Sequence, residues 1–168
     1  MADSMASIIV VDDEPLVRDL LSRWLADAGY SCRHAGCAEE AWEAIQEGDV
    51  DLLTLDVNLP GASGLELLAG VKESLPDTEA IMLTGRADVQ AAVSALSAGA
   101  SGYLIKPVSS EELLFQVDRC LERRRLVMEN RQYTHHLEDR VQRHTHDIRL
   151  AHEETIHRLV AASRYRDE

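Results

Sequence analysis

The chain has 168 residues, of which 45% are apolar and 4% aromatic, so it can hold one ordinary domain plus an appendage around a core of Leu, Val, Ile and Ala. Its formal charge is −13, and all of the acidic excess lies before Glu122, which argues against nucleic-acid binding there and in favour of a cation. No apolar run approaches the about 18 residues of a membrane span, and Met1-Ala2-Asp3-Ser4 lacks the basic and apolar regions of a signal peptide.

In chain order, Ser7-Ile8-Ile9-Val10-Val11 is a β-branched run stopped by Asp12-Asp13-Glu14-Pro15, three carboxylates and a proline suited to open a helix. Leu16, Val17, Leu20, Leu21, Trp24 and Leu25 then recur at helical spacing until Gly29. Tyr30 to Ala35 predicts a weaker second strand, interrupted by Arg33 and His34 and therefore near a sheet edge. Ala38 to Glu47 predicts a helix with Ala41, Trp42 and Ile45 on one face. Val50 to Leu55 is the third strand, apolar except for β-branched Thr54, and Asp56 follows where it opens into the Pro60-Gly61 turn. A strand apolar on both faces belongs in a parallel sheet covered by helices, where ligands gather at the carboxyl ends of the strands. Gly64 to Glu73 predicts the next helix, Glu79 to Thr84 the fourth strand, Ala87 to Ala98 an Ala-rich helix, and Gly102 to Ile105 the fifth strand, closed by Lys106-Pro107. The alternation argues for right-handed βαβ crossovers in one sheet, a doubly wound α/β fold.

From Ser109 or Ser110, either of which suits a helix N-cap, neither Gly nor Pro occurs again, which predicts a helix of up to about 60 residues, roughly 90 Å long. Leu114, Val117, Leu121 and Met128 face the domain or open a seam. Leu137, Val141, His144, Ile148, Ala151 and Thr155 then follow at alternating spacings of four and three, a heptad register that pairs helices, with a one-position slip near Gln132. Six of the seven histidines, His135, His136, His144, His146, His152 and His157, lie in this tail, but no two are three or four apart, so a helical two-histidine metal site is not expected. His144 in the seam would make pairing pH-sensitive. Cys32, Cys37 and Cys120 have no metal-like spacing and fit reduced thiols in a cytoplasmic setting.

Taken one at a time, the acids read as solvated turns. Asp12, Asp13, Asp56, Thr84 and Lys106 nevertheless all fall at carboxyl ends of strands, which converge on one crevice in a doubly wound sheet. Asp56 offers a carboxylate nucleophile to phosphorus, and the repulsion between carboxylate and phosphate requires a divalent cation. Oxygen-only ligands select Mg²⁺ or Mn²⁺, held by Asp13, Asp56 and a carbonyl of the following loop, with Asp12 acting through water. Lys106 supplies a point charge to the phosphoryl oxygens, and Thr84 a hydroxyl.

Val11-Asp12-Asp13-Glu14-Pro15, Asp56 with Leu59-Pro60-Gly61 and Gly64, Thr84-Gly85, Tyr103 and Lys106-Pro107 together make residues 7 to about 121 resemble a response-regulator receiver domain. The resemblance implies a flavodoxin-like sheet in the order 2-1-3-4-5, a phosphoacceptor at Asp56, Mg²⁺ at Asp12 and Asp13 with the Asn58 carbonyl, a phosphohistidine kinase as donor, and a cis bond before Pro107. It also implies a switch in which Thr84 moves inward and Tyr103 rotates, with Asn58 and Arg86 flanking the phosphoryl group. Glu138-Asp139-Arg140-Val141 and the segment from Glu153 to Glu168 resemble the helix leading into HD-GYP phosphodiesterases of cyclic di-GMP. The catalytic signatures of those enzymes are absent, so the chain reads as a fragment: a receiver over 1–121, then a linker helix over 122–168 that dimerises and leads to an output domain in cis. No catalysis beyond its own phosphorylation and dephosphorylation is expected of it. A haloacid-dehalogenase-like aspartyl phosphatase is the enzymatic alternative, but it places its nucleophile on the first strand with a second acid two residues later, where this chain has Asn58. A phosphorylation-independent scaffold is the third possibility.

Overall fold

The computed structural model describes residues 5–85 and 89–164, and, within these, the side chains of all but 89, 91 and 160–164. Five parallel strands alternate with helices: β1 (Ser7–Val11), α1 (Pro15–Asp27), β2 (Ser31–Ala35), α2 (Ala38–Gln46), β3 (Leu52–Asp56), α3 (Gly64–Ser74), β4 (Glu79–Thr84), α4 (Val89–Ser97), β5 (Gly102–Ile105) and α5 (Ser110–Arg164). The sheet order is β2-β1-β3-β4-β5, as the resemblance implies, with β2 at an edge. The register sets Val11 beside Leu55 and Asp56 beside Leu83, so the carboxyl ends of β1, β3 and β4 lie next to one another.

Strand alternation sorts the apolar side chains into two cores. Ile9, Val11, Leu53, Leu55, Ala80 and Met82 pack with α2, α3 and α4 on one face. Ile8, Val10, Leu52, Ile81 and Leu83 pack with Leu21 and Leu25 of α1 and with Leu113, Val117 and Cys120 of α5 on the other. On α5, Leu113 and Val117 are fully buried, whereas Leu114 is only partly covered.

Side-chain caps fix where two helices begin. Ser63 accepts from the Glu66 amide, and Glu66 returns a bond to the Ser63 amide. Ser109 and Glu112 form the same reciprocal pair at the start of α5.

By contacts the chain divides into two units, residues 1–125 and 126–168. Arginines 123 and 124 bind α5 into the first. Arg123 pairs with Glu79 at the start of β4, and Arg124 pairs with Asp51 while donating to the carbonyl of Asp77. In the second unit, Leu137, Val141, His144, Ile148, Ala151 and Thr155 are all exposed along α5. No helix among the described residues is long and apolar enough to cross a membrane.

Candidate phosphoryl-acceptor site

Carboxylate oxygens of Asp12, Asp13 and Asp56 lie within 4.8 Å of one another. Asp12 follows β1 and Asp56 ends β3; both are buried, while Asp13 is exposed. Three like charges so close repel strongly, and the compensation visible in the structure is Lys106. Its Nζ is 2.6 Å from Asp12 Oδ2 and 2.7 Å from Asp56 Oδ2. Burial pulls the Lys106 ammonium toward a lower pKa, but its interactions with Asp12 and Asp56 outweigh this and hold it above the ordinary value.

Main-chain contacts aim these groups. The Glu14 amide donates to Asp12 Oδ1 and the Asn58 amide to Asp56 Oδ1, so each carboxylate has one oxygen committed to its own loop. The Lys106 amide donates to the Thr84 carbonyl, which draws the end of β5 against the end of β4. The bond between Lys106 and Pro107 is cis, as the resemblance implies.

Gly64 explains how the loop after Asp56 can fold back: its amide donates to the Val57 carbonyl, and a Cβ there would lie 1.9 Å from the Asp56 carbonyl oxygen. Only glycine permits that approach. Gly61 in the turn has φ of 82°, the left-handed region that favours the same residue.

Of the residues singled out in the sequence, Asp12, Asp13, Asp56 and Lys106 come together as one cluster. Thr84 is buried at the end of β4, and Tyr103 is half-buried on the neighbouring strand, packed against the core of the α2–α4 face. Pairing of Met82 with Tyr103 puts Tyr103 and Thr84 on the same face, two residues apart along the ladder. Asn58 is exposed at the rim, and Arg86 lies outside the described residues. Sequence reasoning missed Arg18, whose guanidinium donates to the Asp12 carbonyl at 2.9 Å. Nothing in its helical position distinguishes it from a solvated arginine.

The donor set fits a hard divalent cation: three carboxylates, with no thiol or imidazole among them. Asp12 Oδ2 supports the fit, because it is buried and already meets a cation, the Lys106 ammonium 2.6 Å away. Among the described residues this is the one group of acidic, histidine or cysteine side chains arranged to hold a metal. The cysteines are free, and burial pushes the Cys32 and Cys120 thiols up to about 11, leaving them protonated at neutral pH.

A parallel sheet in the order 2-1-3-4-5 whose strand ends bring an acid pair, a third aspartate and a lysine together defines a receiver, and comparison with known proteins agrees. Residues 8–118 match the response regulator receiver domain family, and the chain belongs to it. It is 36% identical over 129 residues to the C4-dicarboxylate transport transcriptional regulatory protein DctD of Pseudomonas aeruginosa, covering 77% of this chain and 28% of that one. It resembles the structure of NtrX from Brucella abortus, with 35% identity and a TM-score of 0.74 over 76% of this chain and 29% of that one. A CheY-like receiver domain from Methanospirillum hungatei JF-1 is matched over 98% of its length, with 32% identity and a TM-score of 0.69 over 73% of this chain. The chain thus spans less than a third of the length of DctD and NtrX. It is the receiver domain of a two-component response regulator, and the phosphatase alternative falls away.

Proposed function

We propose that Asp56 accepts a phosphoryl group from a histidine kinase and that the resulting charge switches the receiver surface. The observation that carries this is the Asp12–Asp13–Asp56 cluster with Lys106 bridging Asp12 and Asp56. An Asp56 oxygen attacks phosphorus, the P–N bond of the phosphohistidine breaks, and the departing imidazole keeps the bonding pair. Lys106 follows the new charge, since the phosphoryl oxygens compete with the carboxylates for its ammonium. Asp12, Asp13, Asp56 and the Asn58 carbonyl would hold Mg²⁺ or Mn²⁺, which would neutralise the charge that the carboxylates oppose to phosphate. Thr84 donates its hydroxyl to a phosphoryl oxygen, and Tyr103, on the same face of the sheet, turns into the space left behind. Asn58, two residues after Asp56, flanks the group and sets how fast water removes it.

The relay then runs along α5. We assign the exposed stripe Leu137, Val141, His144, Ile148, Ala151 and Thr155 to pairing with the same helix of a second copy, and the helix to carrying the signal to an output domain in cis. Resemblance of the tail to the lead-in of HD-GYP phosphodiesterases makes a cyclic di-GMP phosphodiesterase the proposed output. DctD and NtrC are named as transcriptional regulators, and a DNA-binding output is the alternative those names raise. The acidic receiver itself is not the nucleic-acid or membrane contact, and the free thiols fit a cytoplasmic protein.

The test is transfer from a phosphorylated histidine kinase or acetyl phosphate. The wild-type chain becomes labelled and Asp56→Asn does not; equal labelling of Asp56→Asn at another residue contradicts the assignment.

A further inference from the structure

Arg18 lies on α1, one helical turn beyond the acid pair, and its guanidinium Nη1 donates to the main-chain carbonyl of Asp12 at 2.9 Å. The Asp12 amide is held from the other side, donating to the Ala35 carbonyl of β2. The carbonyl that Arg18 grips belongs to the peptide joining Asp12 to Asp13. That peptide plane decides where Asp13, the exposed member of the acidic trio, points relative to buried Asp12 and Asp56.

The arginine is kept there at a cost. Its Nε is buried without a partner. The β2–α2 loop also passes so close that a Cβ on Gly36 would stand 2.9 Å from Nη1 and 3.3 Å from Glu40 Oε2. The Gly36 amide donates to the same Glu40 oxygen at 2.6 Å, which ties the loop to the first turn of α2.

We propose that Arg18 is a positioning residue for the divalent cation: it fixes the Asp12–Asp13 peptide so that both carboxylates meet one ion. This rests on the cation reading of the Asp12–Asp13–Asp56 cluster. The sign of the effect separates positioning from charge. Removing a positive side chain beside a cation site strengthens cation binding by electrostatics alone, so weaker binding after its removal reports lost geometry.

The experiment is Mg²⁺ titration by calorimetry, paired with thermal melting in EDTA, on wild type, Asp13→Asn, Arg18→Met, Arg18→Lys and Gly36→Ala. Arg18→Met raises the Mg²⁺ Kd about tenfold, within the range expected for outer-shell partners of a metal site, and Arg18→Lys recovers part of it. Gly36→Ala keeps the charge and the site residues, but its methyl group displaces the flexible end of Arg18, so it also weakens Mg²⁺ binding while melting in EDTA like wild type. Gly36→Ala keeps the test decisive if Arg18→Met fails to fold. Both variants binding Mg²⁺ within twofold of wild type overturns the proposal while leaving the cation site intact. Wild type that shows no saturable binding, or Asp13→Asn that binds equally well, removes the cation reading and the role of Arg18 with it.

Discussion

Lys106 is the residue on which the charge of the site balances, since one ammonium sits between two buried carboxylates. Replacing it by methionine leaves Asp12 and Asp56 facing each other uncompensated, a change that costs about 3 kcal/mol in comparable buried pairs. The loss shows in urea melts in EDTA, and a variant that melts like wild type would deny Lys106 this balancing role. On the alkaline side, a raised pKa means that the folded state holds its proton more tightly than the unfolded one. Stability from Lys106 is therefore complete below its unfolded value near 10.4 and drains as pH rises through the folded value. Tyr30 acts in the same direction: burial first, then its bond to Asp118 and the charge of Asp118, pushes it up to about 12. Stability is thus expected to fall between pH 10 and 12, and Tyr30→Phe to fall less steeply over that window; identical slopes would deny Tyr30 a part. The site acids were legible in the sequence because each follows a strand that is unmistakably apolar. Arg18 was not, because a hydrogen bond to a main-chain carbonyl leaves no trace in residue spacing.

Among the elements, the turn from β3 into α3 is the most tightly constrained. Gly64→Ala drives a methyl group into the Asp56 carbonyl, so the loop must move; overpacking of this kind costs about 1–3 kcal/mol, and labelling of Asp56 falls with it. Normal labelling of Gly64→Ala would show that the loop position is not needed for chemistry. On α1, Val17, Leu20 and Trp24 form a groove of about 400 Å³ with Pro107 and Val108, and Lys106 reaches its edge. Leu20 is 45% exposed and Leu16, one turn earlier, 85%. On the proposed reading that a histidine kinase is the donor, this apolar groove is where the kinase would contact the receiver, so Leu20→Glu is expected to slow transfer from the kinase while leaving labelling by acetyl phosphate unchanged. A similar slowing of both reactions would place the defect in the site itself.

Strands β1, β3 and β4 were legible as apolar runs too short for helices, and β2 as an interrupted run at an edge. The face of α5 was legible too, since Val117 is buried and Leu114 and Leu121 pack against the core as their spacing predicts; Leu113, adjacent to Leu114 and 100° from it on the helix, is the fully buried residue that the spacing did not single out. The Ser63-x-x-Glu66 cap was present in the sequence as the same signature and fixes the start of α3.

At the scale of the whole molecule, the charge division seen in composition corresponds to two kinds of structure. Residues 1–125 form the compact receiver, and residues 126–168 carry the exposed heptad stripe. The acidic excess alone placed the change near Leu121; the arginines beyond it pair across the base of the sheet, a distance in sequence that composition cannot reveal. Truncation after Arg125 is expected to leave a stable monomer by sedimentation. Truncation after Leu121 removes the partners of Glu79 and Asp51 and costs about 1–2 kcal/mol, discounted for the exposure of Arg123. A truncation after Arg125 with the solution mass of the full chain would remove the tail from the dimer.

The measurement that bears most directly on the whole account is the phosphoryl stoichiometry of the intact chain with acetyl phosphate, mapped to a residue, in Mg²⁺ and in EDTA. One phosphoryl group per chain on Asp56 in Mg²⁺, and none in EDTA, is the predicted result. Incorporation that is indifferent to the cation, or that maps to any residue other than Asp56, would contradict it.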